Sequence, residues 1–249
     1  MKTLESSKLQ LENNGWLVVE NVFSKDEVDL YKELIDRCEV TYQPWQDYRR
    51  PGIFHHLPLT DYRFLTVLEK IEDCNVLSHY FNNNQFILNS FGGVINNESM
   101  DKNIYIKEIH RDINVYIKDY PLMINVLVML DSFSKLNGAI EILPGSHKVA
   151  GKPEVGEFER DSLQVLSNAG SILFFNSYIW HRAGISQVLD KRRALTLTYT
   201  QSYFKQQADY SEVFISLPTG MKNKFYKKIL GRISKVPKSL DEWYMDYEK

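Results

Sequence analysis

The chain has 249 residues, 43% of them hydrophobic and 25% charged, the balance of an ordinary globular protein with one sizeable core. Lys and Arg number 30 against 32 Asp and Glu, and the formal charge of −2 argues against nucleic acid or an anionic membrane surface as partner. The two cysteines, Cys38 and Cys74, form no Cys-x-x-Cys pair, which argues against a zinc or redox-thiol site and suits a reducing compartment.

No long apolar stretch follows Met1-Lys2-Thr3-Leu4-Glu5-Ser6, and no run approaches the length of a membrane span. A cytoplasmic location is therefore expected. Trp16–Glu20 is a short β-type run after Asn14-Gly15. Ser24-Lys25-Asp26-Glu27 has the form of a capping box, and Val28, Tyr31, Leu34, Ile35 and Cys38 then recur at helical spacing. A second helix is predicted over about 61–73, with Phe64, Leu65, Leu68 and Ile71 inward.

From about residue 85 the texture changes. Strands are predicted at Phe86–Phe91, Ile104–Ile109, Ile124–Leu130, Ala139–Leu143, Leu163–Leu166, Ser171–Phe175 and Ala194–Tyr199. Turns are predicted at Gly92-Gly93, Asn96-Asn97, Asn137-Gly138, Pro144-Gly145 and Asn168-Ala169-Gly170. So many short strands imply a mainly β sandwich or jelly roll with flanking helices. Met221–Leu230 predicts a helix closed by Gly231, and Ser239–Trp243 opens a last turn with another capping box. The lysines of 222–224 and 227–228 read as a solvated helix face. No linker divides the chain, so a single domain over 1–249 is expected: a helical part over about 1–84, a β core over about 85–200 and an extension over about 201–249.

The chemistry sits in three places. In Glu108-Ile109-His110-Arg111-Asp112, strand geometry points His110 and Asp112 to one face and Arg111 to the other. Such a pair alone is more often an ordinary surface or hydrogen-bonded pair than a metal site. His181 ends an aromatic stretch from Phe174 and, taken alone, reads as a satisfied core imidazole. Together the three make the two-histidine, one-carboxylate set that suits non-haem Fe(II) and leaves coordination positions open. Arg192 follows His181 beyond the turn-forming Ser186–Lys191, at the start of a predicted strand. A guanidinium there can grip the far carboxylate of a keto-diacid. The competing reading is a solvated Lys191-Arg192-Arg193 charge run, which Arg193, on the opposite face, fits.

These residues carry a resemblance to the phytanoyl-CoA dioxygenase-like family of Fe(II)/2-oxoglutarate oxygenases. It spans about residues 12–245 and comprises Asn14–Val19 with the Ser24 helix, His110-Arg111-Asp112, Asn137–His147, Gly170–Phe175 leading to His181-Arg182-Ala183-Gly184, and Arg192-Arg193-Ala194-Leu195. The resemblance implies a double-stranded β-helix (a cupin-like jelly roll) with His110, Asp112 and His181 as iron ligands and Arg192 as the 2-oxoglutarate anchor. The cosubstrates it implies are 2-oxoglutarate and O₂, with succinate and CO₂ as products, and an aspartate at position 112 favours hydroxylation over halogenation. Desaturation, epoxidation or cyclisation share the same ligands. A metal-binding jelly roll without oxidative chemistry is the rival that Arg192 argues against.

Substrate contacts are harder to read. His55 and His56 either face a substrate or simply pack. Trp45, Arg49 and Arg50 share a predicted loop with them. Lys107, Arg111 and Arg182 flank the metal motifs; they are either surface charges or a cationic rim for an anionic small molecule. His147 is expected to order its turn, and His79 to lie on a helix face.

Overall fold

The computed structural model describes residues 4–48, 50–100 and 104–246. In chain order the elements are α1 (Leu4–Asn14), β1 (Trp16–Val19), α2 (Lys25–Thr41), β2 (Ile53–Phe54), α3 (Val67–Asp73), α4 (Val76–Tyr80), β3 (Phe86–Asn96), β4 (Met123–Met129), β5 (Glu141–Ile142), α5 (Glu157–Asp161), β6 (Leu163–Gln164), β7 (Ile172–Asn176), β8 (His181–Arg182), β9 (Arg192–Gln201), α6 (Tyr210–Ser216), α7 (Lys224–Ile229) and α8 (Leu240–Asp246).

The strands form two antiparallel sheets, neither of them closed: six strands in the order β1-β7-β4-β9-β3-β2, and three in the order β6-β5-β8. The outer face of the larger sheet carries the helices. There Ile124, Val126, Val128, Leu195, Leu197 and Tyr199 pack with Val28, Tyr31, Leu34, Ile35 and Cys38 of α2. The α2 stripe exists because its start is fixed. Ser24 Oγ accepts from the Glu27 N–H, and Glu27 Oε2 accepts from the Ser24 N–H at 2.8 Å. The inner face meets the smaller sheet through Leu127, Met129, Ile140, Ile142, Leu173, Phe175 and Ala194. This is the mainly β jelly-roll arrangement that the strand pattern implied, with a helical layer on one side.

Several predicted elements shift. Gly92-Gly93 is not a turn; it lies inside the eleven-residue β3. A Cβ on Gly92 would sit 2.6 Å from the Phe54 carbonyl oxygen, and one on Gly93 would sit 2.7 Å from Ile35 Cδ1. The glycines are there for close approach, not for chain reversal. Ile104–Ile109 is not a strand: residues Tyr105–Lys107 form a 3₁₀ turn. The 61–73 helix is a 3₁₀ turn over Tyr62–Thr66 continuing into α3. Gly231 follows α7 with φ +76, the left-handed residue expected at its end. Among the described residues no helix is long and apolar enough to cross a membrane.

Arg193 departs from the solvated reading. It donates through Nε (2.9 Å) and Nη2 (3.0 Å) to the two oxygens of Asp36 on α2, and through Nη1 (3.0 Å) to Asp131. Parity put it on the face opposite Arg192, but that face is the one α2 covers. Burial alone would raise the Asp36 carboxyl; the bonds and charge of Arg193 outweigh it and hold Asp36 below the usual range. A depressed carboxylate stabilises the fold above its unfolded pKa, and that contribution is lost as pH falls through the folded one. Arg193→Met should thus cost about 1–2 kcal/mol at pH 7, since all three groups are partly exposed. The cost should shrink below about pH 4. Urea denaturation of both proteins at the two pH values checks this; a cost that persists in acid rules it out.

Candidate active site

A cavity of about 290 Å³ opens between the sheets. His110, Asp112, His181 and Arg192 all line it. The first three converge from two segments: one ligand atom from each lies within 4.8 Å of the others. His181 begins β8, and His110 is clipped beside it by reciprocal backbone bonds, each N–H donating to the other's carbonyl at 3.0 Å. His110 thus acts as a one-residue extension of the smaller sheet. This places it and Asp112 on the cavity side, as the i, i+2 reading expected.

The histidine tautomers follow from their partners. His110 Nδ1 lies 2.8 Å from the Glu108 carbonyl oxygen, and His181 Nδ1 lies 3.1 Å from that of Ile179. A carbonyl only accepts, so in the neutral rings the proton is on Nδ1. Each Nε2 then presents a lone pair. These atoms lie 3.6 Å (His110) and 3.5 Å (His181) from the two oxygens of Asp112. Two nitrogen lone pairs and a carboxylate meeting without a proton donor among them form a candidate cation site, and mixed nitrogen and oxygen donors suit Fe(II).

The electrostatics set the two rings apart. Burial would raise the Asp112 carboxyl, but the two imidazoles facing it and the Asn125 amide hold it below the usual range. Burial dominates at His181 and lowers its pKa, keeping the ring neutral. At His110 burial pulls the same way, but the bond and charge of Asp112 outweigh it and raise the pKa.

Arg192 begins β9, the strand held between β3 and β4. The register pairs it with Asn96 and turns it inward with Ala194, while Arg193 turns to the helices. A one-residue slip would exchange the two arginines. Arg192 is 3% exposed. Its guanidinium lies 4.3 Å over the Phe133 ring, and its Nε has no hydrogen-bond partner among the described residues. No carboxylate among them is within ion-pair distance of it. Burial lowers its pKa to about 10, only partly offset by the charge of Asp131. A buried cation without an anion is costly. It fits a protein whose anion arrives as a ligand.

The Asn137–His147 signature acts as scaffold. Ser146 Oγ accepts from the Trp180 N–H at 2.9 Å, and Leu143 N–H donates to the Trp180 carbonyl at 2.9 Å. Both fix the residue before His181. His147 Nε2 lies 3.1 Å from the Glu12 carbonyl, holding the end of α1 against this turn. It orders its turn, as expected, and is not in the ligand set. His79 sits on α4, 3.9 Å from Glu12.

His55 and His56 line the cavity. Of the two readings of the flanking cations, the rim is not there: Lys107, Arg111 and Arg182 do not line the cavity. Arg111 donates to the carbonyls of Val149, Ala150 and Gly151 and lies 4.6 Å over Trp180. Arg182 binds Glu141 at 2.7 Å and covers Phe158. Lys107 is buried and donates to the Met100 carbonyl. Neither these three nor Trp45 and Arg50 line the cavity, and Arg49 lies outside the described residues.

Two residues escaped the sequence reading. Asn125 donates through Nδ2 to Asp112 Oδ2. It is the one polar residue in the otherwise apolar Met123–Met129, and that exception was its signal. Tyr210 reaches His56 across 154 positions, which no local pattern reveals.

The profile of the phytanoyl-CoA dioxygenase family matches residues 11–194. The chain is 28% identical over 205 residues to the uncharacterised protein Rv1501 of Mycobacterium tuberculosis, covering 80% of this chain and 73% of that one. It resembles HygX from Streptomyces hygroscopicus, solved with nickel and 2-oxoglutarate, with TM-score 0.61 and 19% identity over 83% of this chain and 90% of that one. It also resembles SnoN, the non-haem α-ketoglutarate-dependent epimerase of nogalamycin biosynthesis, with TM-score 0.63 and 17% identity over 80% and 81% of the two chains.

Proposed function

Given that this chain belongs to the phytanoyl-CoA dioxygenase family, we propose that it is an Fe(II)/2-oxoglutarate-dependent dioxygenase that hydroxylates a C–H bond of a small molecule. Buried Arg192, without an ion-pair partner among the described residues, lines the same cavity as three convergent lone-pair donors, and this carries the reading. Iron with 2-oxoglutarate bound supplies the oxidising equivalents, consuming O₂ as the keto acid loses CO₂ and becomes succinate.

The protein's part is ligation, orientation and exclusion of water. His110 and His181 offer Nε2, held to that task by the carbonyls on their Nδ1 atoms. Asp112 offers a carboxylate oxygen, with its rotation fixed by Asn125. Arg192 takes the far carboxylate of the keto acid in a pocket dry enough to strengthen that bond. Leu127, Ile140 and Phe175 close the space around the ligands with apolar surface. The presence of Asp112 favours hydroxylation over chemistry that needs an anion at the carboxylate position.

Anaerobic addition of Fe(II) and then 2-oxoglutarate should give a weak visible absorption band, and admission of air should release succinate. No band and no succinate would sink the reading. Asn125→Ala should leave the fold intact while weakening metal binding about 10- to 100-fold, as expected for a residue that orients a ligand. Calorimetric titration with Ni(II) gives the number; an unchanged affinity denies Asn125 this role.

A further inference from the structure

The cavity wall away from the three candidate ligands contains a hydrogen-bond chain with a fixed direction. The Phe91 N–H donates to the Tyr210 hydroxyl oxygen at 2.9 Å. That hydroxyl lies 2.9 Å from His56 Nδ1. Tyr210 is fully buried, and burial pushes its phenol far above the usual range, so it keeps its proton. The hydroxyl has no other acceptor among the described residues, so its proton is directed at His56 Nδ1, which accepts. The neutral His56 ring therefore carries its own proton on Nε2, the reverse of His110 and His181. Nε2 has no partner among the described residues, and the ring lines the cavity.

Two further features support a built donor. His56 adopts φ +57, a left-handed conformation that is costly for a residue with a Cβ. Burial and the charge of neighbouring His55, its ring centroid 6.2 Å away, both disfavour a second proton on His56. The lining is mainly apolar, with Ile53, Phe54, Val94 and Met123; its polar members include Tyr105, Thr196 and Gln207, and the Ser90 and Thr198 hydroxyls are bonded to each other at 2.7 Å. Among the described residues of the cavity lining, Arg192 is the one lysine or arginine.

We propose that the primary substrate is an uncharged, mainly apolar small molecule whose oxygen, as a ketone, ether, lactone or hydroxyl, accepts the Nε2–H of His56, and that phosphorylated or carboxylated molecules are rejected. This departs from the anionic substrate that is one of the two readings of Arg111 and Arg182. It rests on the oxygenase reading in one respect: Arg192 is spoken for by the cosubstrate.

The test has two arms. Nitrogen NMR of protein with ¹⁵N-labelled histidine, at pH 7, should show His56 neutral with its proton on Nε2. A protonated ring or the Nδ1–H form overturns the proposal, whatever the enzyme's activity. In the second arm the protein is loaded with Zn(II) and 2-oxoglutarate and offered cyclohexanone, cyclohexanol, cyclohexyl phosphate and cyclohexanecarboxylate, with binding read by saturation-transfer NMR. The ketone and alcohol should bind and the two anions should not. His56→Phe should weaken the ketone about five- to tenfold, the loss of one hydrogen bond. Anions binding as well as the ketone, no ketone binding, or an indifferent His56→Phe each overturn it. Absence of the visible band with Fe(II) and 2-oxoglutarate would sink the oxygenase reading separately, leaving the His56 tautomer to be judged on its own spectrum.

Discussion

Arg192→Met should make the metal-free protein more stable and unable to hold 2-oxoglutarate. The two effects have one cause. Arg192 is almost wholly buried, lacks an ion-pair partner among the described residues, and has its pKa lowered to about 10. That shift corresponds to roughly 3 kcal/mol of disfavour for the charged form. The Phe133 ring returns part of this as a cation–π contact. A methionine of similar length fills the site without a charge, so a gain of about 1–3 kcal/mol is expected. For a chain of this size that is about 2–4 °C in Tm per kcal/mol. Affinity for 2-oxoglutarate should fall by about 2–5 kcal/mol, the loss of a buried charge-assisted pair. Thermal unfolding of both proteins, with and without metal and keto acid, checks both halves. Wild type should gain stability from the ligand and Arg192→Met should not. A variant less stable than wild type without ligand would show that the arginine is structural.

The second large effect is expected at Asp112. Asp112→Ala removes the carboxylate on which both Nε2 atoms converge, at 3.6 and 3.5 Å. If residues that merely orient ligands cost 10- to 100-fold, loss of the one anionic ligand should exceed about 100-fold in metal affinity and abolish succinate release. The fold should survive, because Asp112 lies outside the named strands, with its carboxylate facing the cavity. Far-ultraviolet dichroism would confirm an intact fold. Calorimetry with Ni(II) and a succinate assay then carry the decision; succinate release at the wild-type rate would contradict the ligand assignment.

Much of this site was legible before the fold. The i, i+2 spacing pairs His110 with Asp112, the ligand set calls for His181, and the turn-forming 186–191 brings the chain back to Arg192, all from local pattern. Local pattern failed wherever the deciding partner lay far away in sequence. Arg193 read as solvated because nothing near it announces Asp36 of α2, 157 residues earlier. Arg111 and Arg182 stayed open between surface charges and a cationic rim because the carbonyls of 149–151 and the carboxylate of Glu141 are invisible from their neighbourhoods. Gly92-Gly93 has turn composition, and only the close approach of Phe54 and Ile35 explains glycine within a strand. Ile104–Ile109 has β composition, but among the described residues it joins no ladder; the Ile106 carbonyl accepts from the Ala183 N–H at 2.7 Å, and Tyr105–Lys107 curls into a 3₁₀ turn.

The cavity lining draws on separate stretches of chain. The candidate ligands and the proposed keto-acid anchor come from 110–112, 181 and 192, all within or clipped to the two sheets. Residues 53–56 and Gln207 also line the cavity; they hold no candidate ligand, and they meet the larger sheet at the short edge strand β2 and through the Gln207 N–H, which donates to the Asn89 carbonyl of β3 at 3.0 Å. The proposed reaction centre and its vestibule are thus separable parts. Drift in two short peptides can retune which molecule is admitted while the reaction that awaits it stays the same.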